Sequence, residues 1–206
     1  RGIFSSILFN DIVQMKEIRD PILLENMARF LFDNIGNTVT AESISRYVGK
    51  DPTTVAKYLK ALTSSYLFYK AESYDLKGKK LLKTQAKYYC ADIGIRNAVI
   101  GEQYGDKGRI LENIVFMELL RSGYEVKVGK YGEKEIDFTA KNGRGTVYIQ
   151  VTLSLASEYN LKREMEPFKG PKDHYRRILI TGDSIERSSQ DGVEIIRIGD
   201  FLLNGI

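Results

Sequence analysis

One cysteine and one histidine in 206 residues are scarcities that exclude much of protein chemistry. Cys90 alone allows no internal disulfide, which fits a reducing, cytoplasmic compartment. His174 alone rules out any site built on two imidazoles, and Cys/His zinc sites with it. A Ser-His-Asp arrangement would have to use His174, which sits in the polar run GPKDHYRR and reads as a loop or strand-end residue. No apolar run approaches the ~18 residues that cross a bilayer, and no signal-peptide pattern opens the chain. A membrane partner is therefore not expected. There is no GxxxxGK[ST] either: GKKLLKT has the lysines without the spacing, so ATP binding through a P-loop is not expected of this chain.

What is present describes a globular protein. Hydrophobic residues make up 43% and charged residues 28%, and the length suits one large domain or two small ones. A net charge of +4 and a pI near 9.0 permit a polyanionic partner without demanding one. The first residue is Arg, and RGIFSSILFNDIVQM reads as mid-protein sequence, so a piece of a longer polypeptide is expected.

DPILLENMARFLFDNI, 20–35, predicts a helix with Asp20 as N-cap, Pro21 as first helical residue and Gly36 as its stop. Leu23, Leu24, Met27, Phe30 and Leu31 fall on one face. TAESISRYVGK predicts a second helix capped by Thr40, with Ser43 at its third position, Ile44, Tyr47 and Val48 as its apolar residues and Gly49 at its end. DPTTVAKYLKALTSS predicts a third, capped by Asp51, with Val55, Leu59 and Leu62 as its stripe. YLFYKAESY and LLKTQAKYYCAD read as two strands joined by DLKGKK. Three helices followed by a hairpin are the order of a winged helix-turn-helix. The wing carries Lys70, Lys77, Lys79, Lys80, Lys83 and Lys87 against Glu72 and Asp75. In a reader of double-stranded DNA, Thr53, Thr54, Lys57 and Lys60 of the third helix would enter the major groove, with Lys77, Lys79 and Lys80 on phosphate. A solvated face, with a charged tip protecting a hairpin edge, is the plainer alternative.

The pattern changes near residue 102, dividing the chain into 1–102 and 103–206. The second part reads α-β-β-β-α-β-β-α, which implies an α/β domain with a central mixed sheet flanked by helices. Its most informative stretch is EIDFTAKNGRGTVYIQVTLSL, 135–155. Alternation places Val147, Ile149, Val151, Leu153 and Leu155 on the buried face, with Tyr148, Gln150, Thr152 and Ser154 on the other. It likewise puts Ile136 and Phe138 together, opposite Glu135 and Asp137. If the two strands pair, Asp137 and Gln150 lie side by side, and the preceding helix can bring Glu112 near them.

This order resembles the PD-(D/E)xK nuclease superfamily, whose core is a helix with Glu, a strand with Asp and a strand with Glu-x-Lys. The resemblance implies a restriction-endonuclease-like fold. It also implies Glu112, Asp137 and Gln150 as catalytic and Mg²⁺-holding residues, the metal activating water for phosphodiester cleavage. Gln150-Val151-Thr152 replaces both defining residues of the last motif. The amide still offers an oxygen, Thr152 supplies no ammonium, and a migrated Lys162 or Lys127 would have to replace it.

FNDIVQMKEIRDPILLENMARFLFDNIG, KDPTTVAKYLKAL, KYYCADIGIRNAV, GRILENIVFMELLRSGYEVKVGK, EIDFTA and YIQVTLSL together resemble the C-terminal half of a prokaryotic family of predicted AAA-type ATPases. Such proteins carry an N-terminal P-loop ATPase, then a winged helix and a nuclease-like domain of unknown function. The resemblance makes 1–102 the end of the ATPase lid plus the winged helix. It places ATP only in an N-terminal domain missing here, and makes that domain a partner within the same polypeptide. Family members often carry Glu-Val-Lys where this chain has Gln-Val-Thr. Three functions follow: an accessory module binding nucleic acid or partners, a working Mg²⁺-dependent nuclease, or a pure interaction module such as a homo-oligomerisation element. The substituted motif favours the first over the second, and the basic wing favours it over the third.

Overall fold

The computed structural model of the chain describes residues 2–6, 12–14 and 18–206. The stretch RGIFSSILFNDIVQM and the FNDIVQMK part of the resemblance fall partly outside the described residues, as does the Lys83 side chain. Two compact units form: Arg1–Ala71 with Thr84–Tyr104, and Glu72–Lys83 with Gly105–Ile206.

In the first unit, a short helix α1 (Gly2–Ser6) precedes α2 (Pro21–Asp33). The Asp20 carboxylate accepts from Leu23 N–H at 2.9 Å and Pro21 opens α2, as its sequence requires. Leu23, Leu24, Met27, Ala28, Leu31 and Phe32 turn inward, the larger side chains each stabilising by about 1.5–3 kcal/mol. Strand β1 (Thr38–Val39) leads into α3 (Ala41–Val48), where Thr40 and Ser43 form a reciprocal capping box. Gly49 then takes φ +64°, a left-handed conformation that reverses the chain at little cost to glycine alone. Helix α4 (Pro52–Ser64) buries Val55, Tyr58, Ala61 and Leu62. Tyr58 rather than Leu59 completes the inner face, because its hydroxyl accepts from Asp20 N–H at 3.1 Å and ties α4 to the start of α2.

The hairpin strands β2 (Phe68–Asp75) and β3 (Lys80–Cys90) follow, and β1 pairs antiparallel with β3 at Lys87 and Ala86. Helix α5 (Ile93–Ile100) closes the unit. Its Arg96 is fully buried, with Nε donating to the Phe32 carbonyl at 2.9 Å and a terminal nitrogen donating to Asn97 Oδ1 at 3.1 Å. A guanidinium spends its donors on a helix C-terminal carbonyl there, where the helix dipole also favours it.

The second unit is mixed α/β around a mixed sheet. After α6 (Lys107–Arg121) come β4 (Glu125–Tyr131), β5 (Lys134–Asn142), β6 (Gly145–Thr152), α7 (Glu158–Met165), β7 (Arg176–Thr181), β8 (Ser188–Gln190), β9 (Val193–Arg197) and α8 (Ile198–Asn204). The sheet order is β2-β4-β5-β6-β7-β9-β8. Ser73–Asp75 at the outer end of β2 run parallel to Val128–Lys130, so the end of the hairpin is a strand of this sheet. The β5–β6 hairpin is antiparallel, while β6–β7 and β7–β9 are parallel.

Strand β6 is central and covered on both faces, so the face of Tyr148, Gln150 and Thr152 is buried too. Tyr148 is 2% exposed, Gln150 9% and Thr152 7%, whereas Val151 is half-buried and Leu153 is 45% exposed beyond the end of the strand. Ile136 and Phe138 also part company. Between Lys127↔Thr139 and Gly129↔Ile136, β4 advances two residues while β5 advances three. That bulge reverses the alternation. Ile136 joins the cluster of Tyr148, Met165, Phe168 and Leu179, while Phe138 pairs with Ile149 and packs on Phe116 of α6, ring centroids 5.8 Å apart. Gly129 makes the bulge possible, since a Cβ there would lie 2.8 Å from Thr139 Oγ1 and 3.2 Å from Ile136 Cβ.

Candidate functional site

In the first unit the capping network shapes the start of α4. Asp51 Oδ1 accepts from the Thr53 and Thr54 N–H groups at 3.0 Å, and the Thr54 hydroxyl donates to Oδ2 at 2.7 Å. The Thr54 hydroxyl, first among these donors, holds the Asp51 carboxyl below its usual range. Thr54 is therefore committed to the cap, and its hydroxyl is half-withdrawn from the outer face. Thr53, Lys57 and Lys60 are exposed on that face, one and two turns along the helix. Lys57 and Lys60 form no ion pair among the described residues.

At the hairpin turn Lys77, Lys79 and Lys80 are all exposed, and Lys79 holds φ +52°. Lys77 N–H donates to Asp75 Oδ1 at 3.0 Å, which fixes the turn. Lys87, counted with the basic wing in the sequence, is 4% exposed and does not belong to any charged surface.

In the second unit the strand pairing brings Asp137 and Gln150 together. Asp137 N–H donates to Gln150 Oε1 at 3.2 Å, and Val151 N–H donates to Asp137 Oδ2 at 2.9 Å. Gln150 Nε2 donates to Glu164 Oε2 at 3.2 Å, and Arg163 donates twice to Glu164 Oε1, at 3.0 and 2.6 Å. Glu164 is 7% exposed and had no signal in the sequence, because α7 reads as a polar helix whose inward residues only the packing selects. Glu112 lies half-buried on α6. Among the described residues no three His, Cys, Asp or Glu side chains gather to hold a metal ion. The Gln150 oxygen accepts from a backbone N–H. The two lysines that would replace the missing ammonium are engaged elsewhere. Lys127 pairs with Glu125 at 2.5 Å, and Lys162 pairs with Glu158 at 2.8 Å on the outer face of α7. The Thr152 hydroxyl donates to the Ser154 carbonyl at 3.4 Å.

A second constellation in this unit went unread in the sequence. A cavity of about 310 Å³ opens on the Tyr148 face of the sheet, lined by Tyr74, Tyr148, Tyr175, Lys79, Lys127 and Lys141. The Tyr148 hydroxyl donates to Asp173 Oδ2 at 2.7 Å, and burial, with that bond, holds the phenol well above its ordinary pKa. The hydrogen bond from Lys127, with Lys141 also nearby, holds the Glu125 carboxyl below its usual range. Periodicity could not have assembled this cavity, because its residues come from β2, the hairpin turn, three further strands and the loop before β7. His174 is exposed in that same loop, as its polar neighbours suggest.

No helix among the described residues is long and apolar enough to cross a membrane. Residues 1–105 match the profile of a domain of unknown function, DUF8612. An uncharacterized protein of Haemophilus influenzae is 42% identical over 207 residues, covering 98% of this chain and 51% of its own length. An uncharacterized protein of Methanocaldococcus jannaschii is 27% identical over 172 residues, covering 79% of this chain and 38% of its own length. The chain thus spans about half or less of these curated relatives. No solved structure matches it.

Proposed function

The chain belongs to the DUF8612 family, and from that premise we propose that it is a nucleic-acid-binding accessory region of a longer polypeptide that carries an AAA-type ATPase. In this reading α3, the Gly49 turn and α4 are the helix-turn-helix of a winged helix. The second unit is a restriction-endonuclease-like fold that has lost its cleavage site.

One observation carries the proposal. Helix α4 buries Val55, Tyr58, Ala61 and Leu62 and presents Lys57 and Lys60 to solvent, on the helix that follows the turn. Two ammonium groups spaced one turn apart suit successive phosphates of a duplex, a contact that is sequence-independent and salt-sensitive. The exposed Lys77, Lys79 and Lys80 add an electrostatic contribution of their own.

The loss of cleavage is supported by the bonding of Gln150. Its amide oxygen satisfies a backbone donor and its amide nitrogen a carboxylate, which makes it a structural bridge. Fluorescence anisotropy with a labelled duplex at low salt tests the proposal. Binding at micromolar or weaker Kd is expected, and the Lys57→Glu/Lys60→Glu variant should weaken it about tenfold or more. Equal binding by the variant would remove α4 from the interface.

A further inference from the structure

We propose that the cavity on the Tyr148 face of the second unit binds a nucleoside phosphate, either free or as the end of a single strand. This goes beyond duplex binding by α4 and stands independently of it.

The lining combines three rings with three lysines and two carboxylates, Glu125 and Asp173. The Tyr175 ring is 47% exposed and is held edge-on against Tyr148, centroids 5.6 Å apart at 75°. Tyr148 is itself pinned by its bond to Asp173, so Tyr175 rests on a rigid neighbour. An aromatic surface left in water gains most from a flat apolar partner. The Lys127 ammonium sits over the Tyr74 ring, 5.5 Å from its centroid, but is neutralised by its pair with Glu125 at 2.5 Å, so the cations offered to an anion are Lys79 and Lys141. Lys79 and Lys141 are exposed at the cavity and form no ion pair among the described residues. Rings and ammonium groups within one small cavity select a ligand that is planar at one end and anionic at the other. That is how a base and its phosphate are recognised when no sequence is read.

One polar group fits the same ligand. The Asp173 carboxylate can accept from a base amino group or a sugar hydroxyl. Thr139 is nine-tenths buried in the cavity wall, and its hydroxyl has no hydrogen-bond partner. That oxygen is sealed beneath the surface, so Thr139 shapes the cavity wall and makes no direct contact with a ligand. The volume of about 310 Å³ suits one nucleotide unit. A larger cavity of about 420 Å³, formed with the end of α6 and the 142–144 turn, offers Arg144 as its one charged side chain.

Isothermal titration of the whole chain with a nucleoside monophosphate, a short single-stranded oligothymidylate, the bare nucleoside and inorganic phosphate tests the proposal. The monophosphate or the oligonucleotide should bind more tightly than nucleoside or phosphate alone. Tyr175→Ala and Lys141→Glu, both exposed and outside the core, should each weaken that binding about tenfold while leaving duplex binding unchanged. Comparable affinity for both ligands identifies a free nucleotide, and a clear preference for the oligonucleotide identifies a strand end. Three outcomes would overturn the proposal: no binding at millimolar ligand, phosphate binding as well as the nucleotide, or both variants binding like the wild type.

Discussion

Gln150 occupies a buried position where a glutamate and a glutamine would behave oppositely. Its oxygen faces the Asp137 N–H and its nitrogen faces the Glu164 carboxylate, so only the amide satisfies both neighbours. Gln150→Leu leaves the Asp137 N–H without its partner and should cost about 1–3 kcal/mol in urea unfolding. Gln150→Glu sets two carboxylates against each other and should also destabilise, with a larger loss at neutral pH than at pH 4. Equal stability of Gln150→Glu and wild type would disprove the bridge. Cys90 is the second informative residue. Burial pushes its thiol up to about 12, so the folded state keeps a proton that the unfolded chain releases near pH 9. The stability it contributes is complete below pH 9 and falls as pH rises toward 12, at up to about 1.4 kcal/mol per pH unit. Cys90→Ala should flatten that part of the alkaline unfolding curve. At this scale the sequence was partly legible: strand alternation placed Asp137 beside Gln150, but nothing in a polar helix announced that Glu164 would turn inward.

Among the elements, the β5 bulge decides which residues face which layer. Gly129→Ala would push a Cβ against Thr139 and Ile136, and should cost about 1–3 kcal/mol by overpacking. Thermal unfolding of this variant close to wild type would show that the bulge is not held by that close approach. The caps were read directly from sequence, because Asp20-Pro21, Thr40-Ser43 and Asp51-Pro52 carry local chemistry that needs no tertiary contact. The bulge was not legible, since one extra residue in a strand leaves the apolar pattern nearly unchanged. Helix α5 was missed for a related reason. IGIRNAVI has no polar face of its own, and its arginine is the most buried kind of exception. The burial of Gln150 and Thr152 was not legible, because polar residues on one face of a strand do not announce that a helix covers them.

For the whole molecule, the account predicts a binder that does not cut. Supercoiled plasmid incubated with the chain and Mg²⁺ or Mn²⁺ should stay supercoiled. Nicking that Asp137→Ala abolishes would restore the nuclease reading. The chain corresponds to 51% and 38% of the length of the two relatives named above. Its mild net charge of +4 means that affinity must come from local placement of lysines, not from a general field. The most direct measurement is the salt dependence of duplex binding for wild type and Lys57→Glu/Lys60→Glu. The account predicts a linear fall of log affinity with log salt, with the slope of the variant smaller in magnitude by about two. The same slope in both proteins, or no duplex binding at low salt, would contradict it.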